Sequence, residues 1–186
     1  MVAAKKCIAG IRTLQKVPAT AKSLEFNQHF QRVGLGGRAK SRVDIEDLTE
    51  LVKAVIDRMV EDARVLMSEG VGFAAICSND AASYPDDSFE NMKRFAKAHD
   101  FPFPYLHDET QTVARAYRAV CTPDFFGYNA DRKLKYRGRL DEGRITPPRE
   151  GASRELVEAM RAIATTDVAP ADQKPSIGCS IKWKDA

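Results

Sequence analysis

The feature that most limits the fold is the apolar run VGFAAIC, Val71 to Cys77, set between two helical patterns. A continuous run without polar alternation reads as a strand buried on both faces, as in a parallel sheet covered by helices. Parallel strands need long crossovers, usually helical, and both neighbours of the run supply one. Upstream, Leu48, Leu51, Val52, Val55, Ile56, Met59, Val60, Ala63 and Leu66 recur at helical spacing. Lys53, Asp57, Arg58, Glu61, Asp62 and Arg64 fill the other face. Asp44 or Asp47 is available near the start of this helix, and Gly70 marks its stop. Downstream, the loop SNDAASYPDDS ends in a cap at Asp87 or Ser88, and Phe89, Met92, Phe95 and Ala96 mark a second helix.

The remaining elements follow the same alternation. FPFPYLHD gives a short strand, and Asp108 can cap a third helix carrying Val113, Ala116, Tyr117 and Val120. DFFGY and KLKYRGRL are strands joined by the turn residues Asn129 to Asp131, a hairpin. Leu134 and Tyr136 alternate with Lys133, Lys135 and Arg137, so this strand is expected to have one wet face. Leu156, Ala159, Met160 and Ile163 mark a last helix capped near Ser153, and APADQKPSIGCSIKWKDA reads as a polar tail. An α/β order of this kind, ending in an antiparallel hairpin and a closing helix, leaves few topologies. It is that of the thioredoxin fold, a central mixed sheet flanked by helices, less its first strand. The segment KKCIAGI, far upstream, is the candidate for that strand. The expected organisation is a basic extension and linker over 1–43, a thioredoxin-like domain over 44–168 and a tail over 169–186.

Composition removes several function classes. No apolar run approaches the roughly 20 residues of a membrane helix, and the net charge of +3 does not argue for nucleic acid. Residues 1–43 nevertheless hold nine Lys/Arg against one acid, Glu25, a net of +8. Such a leader has the composition of an organelle transit peptide, or is a poorly ordered extension. The four cysteines, Cys7, Cys77, Cys121 and Cys179, are widely spaced and form no C-x-x-C pair. They read as reduced thiols, which places the protein in the cytoplasm unless the leader directs it to an organelle. Gly34, Gly36 and Gly37 fit neither G-x-G-x-x-G nor a P-loop, so no cofactor is implied. His29, His99 and His107 are scattered, without a cysteine at ligand spacing, so no metal site is expected.

The stretches VKAVIDR, EGVGFAAICSNDAASYPDDSFENMK, FPFPYLHDETQTVARAYRAVCTPDFFGYNADRKLKYRGRLDE and QKPSIGCSIKWK carry a resemblance over about 52–184. Together they resemble the thioredoxin-like redoxin family related to AhpC/TSA. The resemblance implies thiol–disulfide or peroxide-reducing chemistry, with a protein thiol or disulfide, or a peroxide, as the reacting partner. It also implies that Thr122 and Pro123 face the reactive site and bind substrate, with Thr122–Pro123 as a cis step before the hairpin. The other reading of Pro123 is an ordinary trans turn proline.

The sequence departs from the family where its chemistry is made. Members carry a dithiol at the start of the helix that begins near Val52, where a helix N-terminus lowers a thiol's pKa. Here Asp44, Glu46 and Asp47 stand there, with no cysteine between Cys7 and Cys77. Cys121, beside Thr122–Pro123, is the surviving candidate for a catalytic thiol. Its other reading is a small buried residue at a helix–strand junction. Cys77 replaces a more usual Asn and reads as inert, and Cys179 lies in the tail with no identifiable partner. Two functions follow: a redoxin-type oxidoreductase working weakly through Cys121, or a non-catalytic thioredoxin-fold module that binds peptide or protein. Oligomeric state is not legible.

Overall fold

The computed structural model describes Cys7–Ile8, residues 45–143 and residues 148–185, with side chains from Val55 onward. Helix α1 spans Ile45–Ser68. It stops where the sequence places its glycine: Gly70 has a φ of 88°, a left-handed turn that a residue without Cβ enters freely. Asp47 lies within the helix, and Asp44 is outside the described residues.

The apolar run that follows forms two short strands instead of one, β2 (Val71–Gly72) and β3 (Ala75–Cys77). Each has a different partner. Strand β1, Cys7–Ile8, runs parallel to β2 with Cys7 opposite Val71 and Ile8 opposite Gly72. Strand β4, Tyr105–His107, runs parallel to β3. The ladder changes partner within the run, so Phe73 to Ile76 are only half-buried, against the expectation of burial on both faces. Strands β5 (Phe125–Tyr128) and β6 (Leu134–Gly138) form the expected antiparallel hairpin, with a register irregularity between Gly127 and Tyr128. Among the described residues the strands form three two-stranded ladders, β1–β2, β3–β4 and β5–β6, and β1 also lies against β5. A leader segment, at Cys7–Ile8, therefore stands between β2, its ladder partner, and the hairpin of a thioredoxin-like fold.

Helix α2 (Phe89–Ala98) packs on β4 after a single 3-10 turn at Pro85–Asp87. Ser88 is its N-cap residue but makes no side-chain cap. Asp87 instead accepts a hydrogen bond from Asn79 Nδ2 at 2.9 Å. Helix α3 (Thr112–Tyr117) is short. Asp108 does serve it: Oδ2 accepts the Ala114 N–H at 3.0 Å and the Ser78 hydroxyl at 2.9 Å. Arg118, at φ 51°, ends it, so Val120 falls beyond the helix and is exposed, a departure from the periodic reading. Helix α4 (Glu155–Thr166) buries Leu156, Val157, Ala159, Met160 and Ile163. These meet Met59, Val60, Ala63 and Leu66 of α1 and Tyr136 of β6 in one core. Ion pairs of Arg161 in α4 with Glu69, just past α1, and of Arg154, the residue before α4, with Asp62 of α1 tie the two helices, and Arg58 holds Asp141 through two hydrogen bonds.

The second departure is Arg137. The alternation of β6 puts it on the wet face, yet it is buried. Its guanidinium donates to Asp124 Oδ2 at 3.2 Å and to the Arg118 carbonyl at 2.8 Å. It also lies 5.0 Å from the Phe126 ring centroid. A buried charge is tolerated when paired and hydrogen-bonded in this way.

Candidate functional site

The loop between α3 and β5 brings Cys121, Thr122 and Pro123 to one side of an apolar cavity of about 260 Å³. Phe73, Tyr117 and Ile181 line the same space. The Thr122–Pro123 peptide bond is cis. Cys121 is 9% exposed, and its thiol points to the Pro123 carbonyl at 3.6 Å. Burial pushes that thiol up to about 11, the charge of Asp124 adds to the rise, and Arg137 opposes it. The sulfur is therefore protonated at neutral pH, the less reactive form. Asp124 is itself held above the usual carboxylate range by burial, with Arg137 pulling the other way.

Of the other sulfurs, Cys77 is buried at the end of β3, and burial raises its thiol as well. Cys179 is exposed. Cys7 contributes backbone to β1.

The segment that reads as a polar tail has a fixed course. Gln173 accepts the Arg137 N–H at 2.8 Å and donates to the Lys135 carbonyl at 2.9 Å. The Ser176 hydroxyl donates to the Gly138 carbonyl at 2.6 Å. The chain then crosses the candidate loop. The Thr122 N–H donates to the Cys179 carbonyl at 2.8 Å, in an antiparallel bridge. Beyond it, Lys182 donates its N–H to Asn79 Oδ1 at 2.9 Å, and its carbonyl accepts from the Asp80 N–H at 2.9 Å.

Gln111 was not visible as a site residue in the sequence. Its side chain is 1% exposed, and its amide is shared between two segments. Nε2 donates to the carbonyls of Ser78 and Lys182, each at 2.8 Å, while Oε1 accepts the Lys184 N–H at 2.9 Å. It does this from a left-handed backbone, φ 59°. Nothing local in DETQT marks the role, because its partners lie far away in sequence.

His99 sits 3.3 Å from Asp57 Oδ1 and His107 stacks on Phe89, so the two serve separate contacts. Among the described residues no group of three His, Cys, Asp or Glu side chains is placed to hold a metal ion. No helix among them is long and apolar enough to cross a membrane.

Comparison with known proteins agrees with this architecture. The model of the AhpC/TSA family matches residues 46–137. A conserved protein of Geobacillus kaustophilus, described as uncharacterized, is 48% identical, with 74% of this chain and 72% of that one covered and a TM-score of 0.67. A hypothetical protein of Sinorhizobium meliloti 1021 is 36% identical, with 74% and 75% covered and a TM-score of 0.66. No curated protein matches the chain. With the cis step before the hairpin, the parallel ladders preceding it and these matches together, the chain belongs to the AhpC/TSA family of thioredoxin-like fold.

Proposed function

We propose that this protein is a redoxin-type thiol–disulfide oxidoreductase that works through Cys121, with Thr122 and Pro123 holding the substrate chain. The observation that supports this reading is the placement of the Cys121 sulfur, directly before the cis step and on the wall of the apolar cavity. In the reaction, the Cys121 thiolate attacks one sulfur of a substrate disulfide, and the other sulfur leaves as a thiolate. A reductant thiol then attacks the Cys121 sulfur of the mixed disulfide and releases the second substrate thiol; a second reductant thiol attacks the first one's sulfur, frees the Cys121 thiol and leaves the two reductant sulfurs joined as a disulfide, so those two thiols supply the two electrons. A hydroperoxide would instead take the same sulfur to a sulfenic acid and leave as an alcohol or water. The disulfide branch is the better fit, since peroxide reduction relies more heavily on a low-pKa thiolate, and this thiol sits near 11. Cys77, Cys121 and Cys179 are free, which goes with a reducing compartment such as the cytoplasm.

The raised thiol also favours a second reading, a non-catalytic module that binds peptide. Reduction of a small aromatic disulfide separates the two. On the oxidoreductase reading the rate vanishes in Cys121→Ser. In the parent chain it climbs about tenfold per pH unit on the way to about 11, tracking the thiolate. A rate unchanged in Cys121→Ser would remove the site assignment, and no turnover at any pH would leave only the binding reading.

A further inference from the structure

We infer that the C-terminal segment Ser176–Lys184 is a strap that occupies the Thr122–Pro123 edge as a bound peptide would, and controls access to Cys121. The inference concerns access, not turnover, so its test stands apart from that of the oxidoreductase reading.

Several observations carry it. An extended peptide is recognised by adding a strand to a free backbone edge. Here the strap supplies that strand: the Thr122 N–H is already given to the Cys179 carbonyl at 2.8 Å. The fit at the crossing demands glycine. A Cβ on Gly178 would lie 2.0 Å from the Thr122 carbonyl oxygen and 2.7 Å from its carbon. Both are backbone atoms that cannot swing away.

Ile181 is buried and lines the same cavity as Cys121, while its neighbours Ile177 and Trp183 are 48% and 38% exposed. Trp183 rests outside, with the Arg115 guanidinium 4.6 Å from its ring. The polar anchors are Gly138 and Thr122 toward its start, then Asn79, Asp80 and above all Gln111, which holds the carbonyl of Lys182 and the N–H of Lys184. That clamp is made by a non-glycine residue in left-handed backbone, a costly conformation retained where surroundings enforce it. One buried apolar side chain and a short set of part-buried hydrogen bonds, on a segment whose Ile177 and Trp183 face solvent, define a region at the low end of local stability. It can leave while the core of α1, α4 and β6 stays closed.

The test uses the full chain and iodoacetamide, with each cysteine followed by peptide mass spectrometry. In the parent protein Cys179 reacts quickly and Cys121 slowly. In Gly178→Val, Cys121 reacts at least about tenfold faster, equivalent to ~1.4 kcal/mol in the closed-to-open equilibrium. The amides of Glu155–Thr166 keep their slow hydrogen exchange. A synthetic peptide spanning residues 175–184, with Cys179→Ser, then slows Cys121 again by refilling the edge. Ile181→Ser and Gln111→Leu, each removing one anchor, carry the same expectation if Gly178→Val does not fold. The inference is overturned if Cys121 stays as slow in the folded variants as in the parent. It is equally overturned if Cys121 and the α4 amides lose protection together, or if the added peptide leaves Cys121 fast.

Discussion

Replacing Arg137 by Met isolates the buried charge pair beside the candidate thiol. The side chains of Arg137 and Asp124 are 7% and 4% exposed, with a 3.2 Å contact between them. Removing the guanidinium leaves the Asp124 carboxylate buried without its counter-charge and leaves the Arg118 carbonyl without that donor. Breaking a buried pair from one side costs about 3–5 kcal/mol. At about 2–4 °C per kcal/mol for a chain of this size, the melting temperature falls by ~6–20 °C.

The pH dependence gives the mechanism a signature. Burial already lifts Asp124 above 3.8 in the folded state, and Arg137 restrains the rise, so the substitution lifts it further. An acid with a raised folded-state pKa binds its proton more tightly folded than unfolded. Its ionisation therefore costs stability as pH rises from the unfolded value through the folded one, and the cost is constant above that. The penalty of Arg137→Met is full at neutral pH and shrinks as pH falls through the raised Asp124 value toward 3.8. Urea unfolding followed by circular dichroism, at mildly acidic and at neutral pH, measures it. Adding Asp124→Asn should recover part of the loss, because no buried charge is then left. A loss under about 1 kcal/mol, or one that does not shrink on acidification, would refute the reasoning. The two substitutions also pull Cys121 in opposite directions: Asp124→Asn removes a cause that raises its thiol, and Arg137→Met removes one that lowers it.

Gly127→Ala puts a Cβ 2.4 Å from Met160 Sδ and 2.9 Å from Tyr136 Cβ. The expected destabilisation is about 1–3 kcal/mol, read from the urea midpoint. Met160→Ala removes a fully buried side chain from the same contact and should cost about 2–5 kcal/mol. Deleting residues 1–40 removes β1, opens the paired edge of β2, uncovers β5 beside it and should lower the melting temperature. An unchanged melting curve would mean that the leader contributes nothing to the sheet.

What the sequence made legible was whatever depends on neighbours along the chain. The spacing of Met59, Val60, Ala63 and Leu66, and of Leu156, Met160 and Ile163, fixes which face of α1 and α4 is buried, and these residues form the core. The hairpin is equally local, with Asn129 at its turn accepting the Lys133 N–H at 2.8 Å. Cys121, Thr122 and Pro123 drew notice because the family resemblance puts a cis step just before that hairpin, and the Thr122–Pro123 bond is cis. Distant partners decided the rest. Arg137 looks wet from alternation alone, because Asp124 sits on another segment. Gln111 becomes a clamp only when Lys182, 71 residues away, arrives beside it. Gly178 reads as a loop glycine until the Thr122 carbonyl is seen against it. The run Val71–Cys77 reads as one strand because apolar continuity carries no record of a change of ladder partner.

Access to Cys121 and its ionisation share a physical cause, and this bears on how a thiol near 11 could work at all. Burial is the largest contribution to that rise, ahead of Asp124. The strap supplies part of the enclosure through Ile181 on the cavity wall and through the Cys179 carbonyl on the neighbouring N–H. When it leaves, water reaches the sulfur and the desolvation cost of the thiolate falls. A return from about 11 toward the ordinary 9.0 raises the thiolate fraction at neutral pH by ~100-fold, at tenfold per unit. Opening would then multiply two gains, contact with a reagent and ionisation, while freeing the Thr122 N–H for another chain. The pH profile of Cys121 alkylation separates them. In Gly178→Val the inflection should move below that of the parent chain. If the rate rises and the inflection stays near 11, the enclosure of the sulfur comes from the α3–β5 junction alone, and the strap governs access without touching reactivity.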